Sequence, residues 1–271
     1  VTKKDRNQLA RLINQKAEEF GADLTGIASV EDMKRSPSHR ISENIPEFDG
    51  VGTEEAHARK RGIVKWPEGA KSAIILAVAH PHDKPEMDWW VTADGSAGNT
   101  AGNRLLIKTV TRLSAWLEKE PAIRCFPLPY HIETGGVYMK DAAVLAGLGC
   151  IGKNNMLLTP QYGPRVRLRV MLTDADLASA GAADFDPCEG CSAPCRTACP
   201  QDAFAEQIYF EKEYGMDKLP GRNGVYNRFR CNRQMVMNES DYSDIGMDDH
   251  PKKPKRQIRY CRECEMVCPI G

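Results

Sequence analysis

Eight of the chain's ten cysteines fall in two groups, Cys188, Cys191, Cys195 and Cys199 followed by Pro200, then Cys231, Cys261, Cys264 and Cys268 followed by Pro269. Thiolate sulfur is a soft ligand that selects iron–sulfur clusters or zinc over hard cations. The first group reads C-x2-C-x3-C-x3-C-P, one residue longer than the bacterial run C-x2-C-x2-C-x3-C-P, in which the fourth cysteine crosses over to a second cluster. By that logic Cys188, Cys191, Cys195 and Cys268 hold one [4Fe–4S] cluster, and Cys199, Cys231, Cys261 and Cys264 hold the other. A pair of four-cysteine zinc sites is the competing use of such sets. The two Cys-Pro ends, however, belong to the cluster pattern. A disulfide framework fits poorly, because C-x2-C pairs in a chain of 271 residues read as metal chelation. Cys125 and Cys150 lie outside both groups and read as small buried hydrophobes. The chemistry this segment offers is single-electron transfer.

The rest of the chain must position that chemistry. Its length accommodates one ordinary domain and a smaller appendage, with enough residues to bury a core. Lysine plus arginine number 37, as do aspartate plus glutamate. There is therefore no global basic field of the kind nucleic-acid binding uses, and nucleic acid is an unlikely partner on this ground. A local basic run, Lys252, Lys253, Lys255, Arg256 and Arg259, reads as a solvated loop or as a docking face for an acidic electron donor. No apolar stretch approaches the roughly eighteen residues of a membrane helix, and no charged-then-apolar leader is present. These features predict a cytoplasmic protein with no membrane partner.

Along the chain, Leu9, Leu12, Ile13, Ala17 and Phe20 recur at helical spacing and Gly21 closes the pattern, which predicts a helix over 5–20. Residues 24–30 read as a strand, and 73–79 (AIILAVA) as a strand buried on both faces. The polar stretch 31–69 between them, and 80–103 with His80, His82, Trp89 and Trp90, read as long excursions over an active-site mouth. His80 and His82 have no carboxylate partner at metal spacing. Helical periodicity resumes over 105–118. Then come a strand-like 123–132, a helix over 137–145, and a strand over 166–172 that alternates arginine with apolar residues. This alternation predicts an α/β domain over 1–183 and a cluster domain over 184–271.

Residues 146–153 spell AGLGCIGK and so contain G-x-G-x-x-G at Gly147, Gly149 and Gly152. A dinucleotide fingerprint must follow a strand and open a helix, whereas here a helical run precedes the glycines. They read instead as a helix cap and a close backbone approach.

With its context, ETGGVYMKDAAVLAGLGCIGKNNMLLTPQYGPRVRLRVML followed by the double cysteine set, the segment resembles the cobalamin-dependent epoxyqueuosine reductases and, more widely, the corrinoid reductive dehalogenases. The resemblance implies a nitroreductase-like α/β core that binds cobalamin, followed by a bacterial ferredoxin-like double [4Fe-4S] domain. It places the family's catalytic acid on Glu133 and its cobalamin-facing residues on Lys153, Asn154, Asn155, Met156, Leu157, Thr159 and Leu168. It also implies electrons arriving from a low-potential donor such as ferredoxin or flavodoxin, crossing two clusters, and reducing the corrinoid to cob(I)alamin for attack on a small electrophilic molecule. Glu133 departs from the family's aspartate by one methylene. The tRNA-modifying members continue into a helical-repeat domain where this sequence stops, which also lowers the expectation of a nucleic-acid substrate. Two alternatives stand beside this reading. One is an electron-transfer protein that reduces a partner's corrinoid, and the other is a flavin-dependent reductase, for which the sequence offers no phosphate cradle.

Overall fold

The computed structural model describes residues 3–42, 64–92, 98–119, 121–247 and 254–271. Lys252, Lys253 and much of the polar stretch 31–69 lie outside the described residues. In chain order the helices are α1 (Lys3–Glu19), α2 (Val30–Lys34), α3 (Pro37–Ser42), α4 (Ala101–Lys119), α5 (Met139–Leu145), α6 (Pro194–Thr197), α7 (Glu211–Tyr214), α8 (Arg228–Ser240) and α9 (Glu263–Met266). The strands are β1 (Leu24–Ser29), β2 (Ser72–Ala79), β3 (Trp90–Val91), β4 (Asn99–Thr100), β5 (Cys125–Phe126), β6 (Cys150–Ile151), β7 (Leu157–Leu158), β8 (Val166–Thr173), β9 (Ser243–Met247) and β10 (Pro254–Ile258). No described helix is long and apolar enough to cross a membrane.

The central sheet runs β1-β2-β8-β5, and every neighbouring pair is antiparallel. All eight residues of β2 are buried. Side chains alternate across a strand, so Ile74, Leu76 and Val78 join Ile13 of α1 and Leu106, Leu113 and Leu117 of α4 in one core. Ala73, Ile75 and Ala77 join Ala142 and Ala143 of α5 in another. A continuous apolar run is thus explained by helices on both faces of an antiparallel sheet, and the fold is mixed α/β.

Helix α5 ends in a Schellman motif. The Leu148 amide donates to the Ala143 carbonyl at 3.0 Å, the Gly147 amide donates to the Val144 carbonyl at 3.0 Å, and Gly147 has φ +77°. The chain then turns into the hairpin of β6 and β7, with Cys150 opposite Leu158. A Cβ at Gly149 would lie 1.8 Å from the Leu158 carbonyl oxygen, so this hairpin closes only on glycine. The glycines therefore serve the chain's own packing.

The strand expected over 123–132 shortens to β5, and Ile132–Thr134 forms a 3-10 turn. Pro127 and Pro129 remove two ladder donors, which accounts for the early end. A second sheet, ordered β4-β3-β10-β9, pairs Trp90 and Val91 with Ile258 and Gln257. The segments on either side of residue 184 are thus joined by strand pairing.

Leu76→Ala removes a fully buried side chain from the middle of β2. Chemical denaturation should show a loss of about 2–5 kcal/mol, and a change below about 0.5 kcal/mol would contradict this placement of the core.

Candidate redox site and adjoining cavity

Cys188, Cys191, Cys195 and Cys268 line one small cavity. The Cys195 thiol is pushed up first by burial and then by Cys268, Cys188 and Cys191. The pKa of Cys268 is likewise raised, chiefly by burial, and it too feels Cys188 and Cys191. The remaining four thiols form a second group. Burial raises Cys264 most, followed by Cys231, with Cys261 and Cys199 adding to the effect. Cys261 is raised by burial and feels both Cys231 and Cys199. The last cysteine of each run therefore stands with the other run. Among the described residues, no three His, Cys, Asp or Glu side chains are arranged to hold a single metal ion.

Local structure holds these thiols in place. Backbone amides of Lys153, Ala193 and Ala203 each donate to a sulfur at 3.4 Å, on Cys188, Cys191 and Cys199 respectively. Lys153 Nζ donates to the Cys191 carbonyl at 2.7 Å, and Arg196 Nε donates to the Lys153 carbonyl at 3.1 Å. Arg165, only 2% exposed, donates to the Glu265 carbonyl at 3.2 Å and the Ile270 carbonyl at 2.7 Å, and it also reaches the Gly271 carbonyl. The end of the chain is thereby tied to the start of β8.

A cavity of about 1110 Å³ opens beside the second quartet. Cys199, Cys231, Cys261 and Cys264 line it, whereas the cysteines of the first quartet do not. Of the residues expected to face a corrin ring, Asn154, Asn155, Met156 and Leu168 line this cavity. Three lie off that wall. Lys153 borders the first quartet. Leu157 is 2% exposed within the apolar core. Thr159 is fully buried, donating through Oγ1 to the Gly163 carbonyl at 3.2 Å and accepting from the Tyr162 amide at 3.1 Å. The backbone of Glu133 sits in the Ile132–Thr134 turn, next to Tyr130, His131 and Ile132, which line the cavity. Its side chain lies outside the described part of the structure.

No protein-family profile matches the chain. Among curated proteins, the epoxyqueuosine reductase of Gloeobacter violaceus is 30% identical over 207 residues, covering 73% of this chain and 61% of that protein. The enzyme of the same name from Lactococcus garvieae is 25% identical over 209 residues, covering 75% of this chain and 53% of that one. A tetrachloroethene reductive dehalogenase of Desulfitobacterium hafniense is 22% identical over 224 residues, covering 74% of this chain and 39% of the dehalogenase. The chain is similar to epoxyqueuosine reductases and, at lower identity, to reductive dehalogenases. It spans between half and two thirds of the length of these two epoxyqueuosine reductases. An epoxyqueuosine reductase solved with an epoxyqueuosine-modified tRNA stem loop shares the fold, with a TM-score of 0.60 at 19% identity over 97% of this chain and 65% of that one. A catabolic reductive dehalogenase solved with 3-bromo-4-hydroxybenzoic acid has a TM-score of 0.51 at 18% identity, over 86% of this chain and 30% of the dehalogenase.

Sequence reasoning missed the charged wall of the cavity. Arg262, in the turn before α9, donates to Glu265 Oε1 at 2.5 and 2.9 Å and to the His80 carbonyl at 3.0 Å. Its Nε lies 3.6 Å from Asp88 Oδ2, and Asp88 also accepts from Arg167 of β8. Burial would raise the Glu265 pKa, but the His80 hydrogen bond and the charges of His80 and Arg262 outweigh it and hold the carboxyl below its usual range. Lys140 of α5 also lines the cavity and donates to the Asn155 carbonyl. Burial pushes its ammonium down to about 8, against the opposing pull of Asp141. The alternation of arginine along β8 was the readable signal for part of this wall, since a charge on a strand packed into a core needs a partner.

Asp88→Ala leaves Arg167 without its carboxylate. The variant should lose about 3–5 kcal/mol in denaturant unfolding, and Asp88→Ala combined with Arg167→Met should recover most of that loss. A double variant no more stable than the single one would contradict the pairing.

Proposed function

We propose that this chain is a reductase that uses two [4Fe–4S] clusters and a cobalamin, the first quartet serving as the outer cluster site and the second as the inner one. The observation that carries this reading is the position of the second quartet. It borders the large cavity while the first quartet does not, so electrons entering at the outer site reach the cavity through the inner one.

The residues suit the groups. Eight thiols in two quartets, with backbone amides aimed at sulfur, match the ligation and tuning of thiolate-bound clusters. The cavity, at about 1110 Å³, exceeds the roughly 300–1,000 Å³ of ordinary small-molecule sites. Val144, Leu145, Val166 and Leu168 give it apolar walls, and Asn154 and Asn155 bring side-chain amides. When bound, the clusters supply single low-potential electrons, and the corrinoid supplies a strongly reducing metal centre. Asn154 Nδ2 donates to the Cys264 carbonyl at 3.1 Å, linking the cavity wall to the inner ligand set. Glu133 is the proposed proton donor to the reduced product, and enclosure by apolar surface would help it keep its proton near neutral pH.

The substrate is an electrophile reduced by two electrons. The expectation that nucleic acid is an unlikely partner is set aside, because a relative of the same fold is bound to a tRNA stem loop. A base carried on tRNA therefore stands beside a free small molecule as the substrate class. The proposed electron donor is a low-potential protein such as ferredoxin or flavodoxin.

Anaerobically purified protein should contain about eight irons per chain, and zinc without iron would overturn the cluster assignment. Cys199→Ser should damage the site shared with Cys261 and Cys264; a variant that loses only the Cys188 site would reverse the pairing. Glu133→Gln should keep cobalamin bound while slowing turnover about 10²-fold or more, and unchanged turnover would move the proton donor elsewhere.

A further inference from the structure

Arg222 has φ +76°, a left-handed backbone that glycine or asparagine fits better than a residue with a long side chain. The chain on either side is held in place. The Gly221 amide donates to Asn155 Oδ1 at 3.0 Å, and Arg196 NH2 donates to the Gly221 carbonyl at 2.8 Å and to Asn223 Oδ1 at 2.9 Å. A strained position that its surroundings maintain points to a use for the side chain it carries.

That side chain reaches the first cysteine run. The two terminal nitrogens of Arg222 donate to Asp186, one to each carboxylate oxygen. Asp186 Oδ1 also accepts from the Cys188 amide at 3.1 Å, which sets the guanidinium beside Cys188, and the guanidinium donates to the Cys188 sulfur as well. The Lys153 amide is the second donor to that sulfur, at 3.4 Å. Arg196, the other arginine of this region, commits its guanidinium to the carbonyls of Lys153 and Gly221 and to Asn223. Arginine does not deprotonate in proteins. Arg222 is therefore a fixed cation, 32% exposed, hydrogen-bonded to a thiol that is itself 7% exposed.

Hydrogen bonds to the sulfurs and the net charge nearby set the potential of a thiolate-bound cluster. Reduction adds one negative charge, and a charge-assisted donor stabilises the more negative state. We infer that Arg222 sets the reduction potential of the outer cluster site, its guanidinium raising that potential through the Cys188 sulfur while Asp186 aims it. This rests on the two-cluster reading above. The electron is the one delivered by the low-potential donor protein. Arg222 neither gains nor loses a proton, and no covalent bond changes. Its effect is to make the outer site a better acceptor for that electron.

The test is an EPR-monitored redox titration of the intact, cluster-loaded protein, in which the outer signal is the one that survives Cys199→Ser. Arg222→Gln removes the cation and leaves the Asp186 carboxylate unpaired. The outer midpoint potential should then fall by about 59 mV, a tenfold drop in the equilibrium constant for one-electron reduction, while the inner potential holds. Asp186→Asn removes the opposing charge and should raise the outer potential. Arg222→Lys keeps the cation and should restore most of the fall. Opposite shifts from the two partners of one ion pair report charge, whereas a contact that only holds the loop would move both variants the same way. That result overturns the inference, and so does an outer potential unmoved by Arg222→Gln. Should a variant fail to assemble the outer site, the wild-type protein decides. With arginine labelled with nitrogen-15 only in its guanidinium, pulsed EPR of the reduced outer cluster should show a weakly coupled label, and its absence overturns the inference. A protein without any cluster signals sinks the two-cluster reading itself, whereas loaded clusters with unmoved potentials sink the inference alone.

Discussion

Neither thiol quartet is closed by a single stretch of chain. Cys268 stands with Cys188, Cys191 and Cys195, and Cys199 stands with Cys231, Cys261 and Cys264. Both sites therefore exist only when the end of the chain has returned to the first cysteine run, and closing so long a loop costs entropy before any ligand is gained. Arg165 supplies much of the return contact by binding carbonyls of residues 265 and 270 from a fully buried position at the start of β8. Because β8 pairs along its whole length with the buried strand β2, the thiol quartets are fastened to the centre of the sheet.

The same strand also builds the cavity. Leu168 faces it from β8, while Arg167, one position earlier, joins the charged wall through Asp88. Buried charges are costly unless paired and hydrogen-bonded. The wall meets that requirement by linking β2, β8, the turn at Asp88 and the stretch before α9 into one network. The result is a chamber beside the second quartet whose lining is part apolar and part buried charge. Lys140 holds the Asn155 carbonyl, so the loop after the glycines is braced from α5.

Much of this was legible in the residues. Helices α1 and α4 and strands β2 and β8 carry long, regular patterns, and the structure shows each within a few residues of the expected span. The reading of the glycines as a cap and a close approach follows from the helix that precedes them, and the Schellman geometry at Gly147 shows the cap directly. Short elements were less legible: Pro127 and Pro129 end the strand that the apolar residues around them suggested. Beyond the arginines of β8 the charged wall was not legible, because it depends on bonds such as that between His80 and Arg262, 182 residues apart, which no local periodicity encodes. For the same reason Lys153, Leu157 and Thr159 could not be told from their cavity-lining neighbours by position alone. Residues 153, 157 and 159, in or beside the β6–β7 hairpin, border the first thiol quartet, an apolar core and a turn respectively.

The central claim is that electrons leave the inner quartet into a corrinoid held in the adjoining cavity. Its most direct test is to add cob(II)alamin to the anaerobic, cluster-loaded protein and record the cobalt EPR spectrum before and after reduction of the clusters. The account predicts that the cobalt signal changes to that of a protein-bound, base-off species and disappears as electrons pass from the clusters. A cobalt spectrum identical to that of free cobalamin, unchanged while the clusters are reduced, would contradict it.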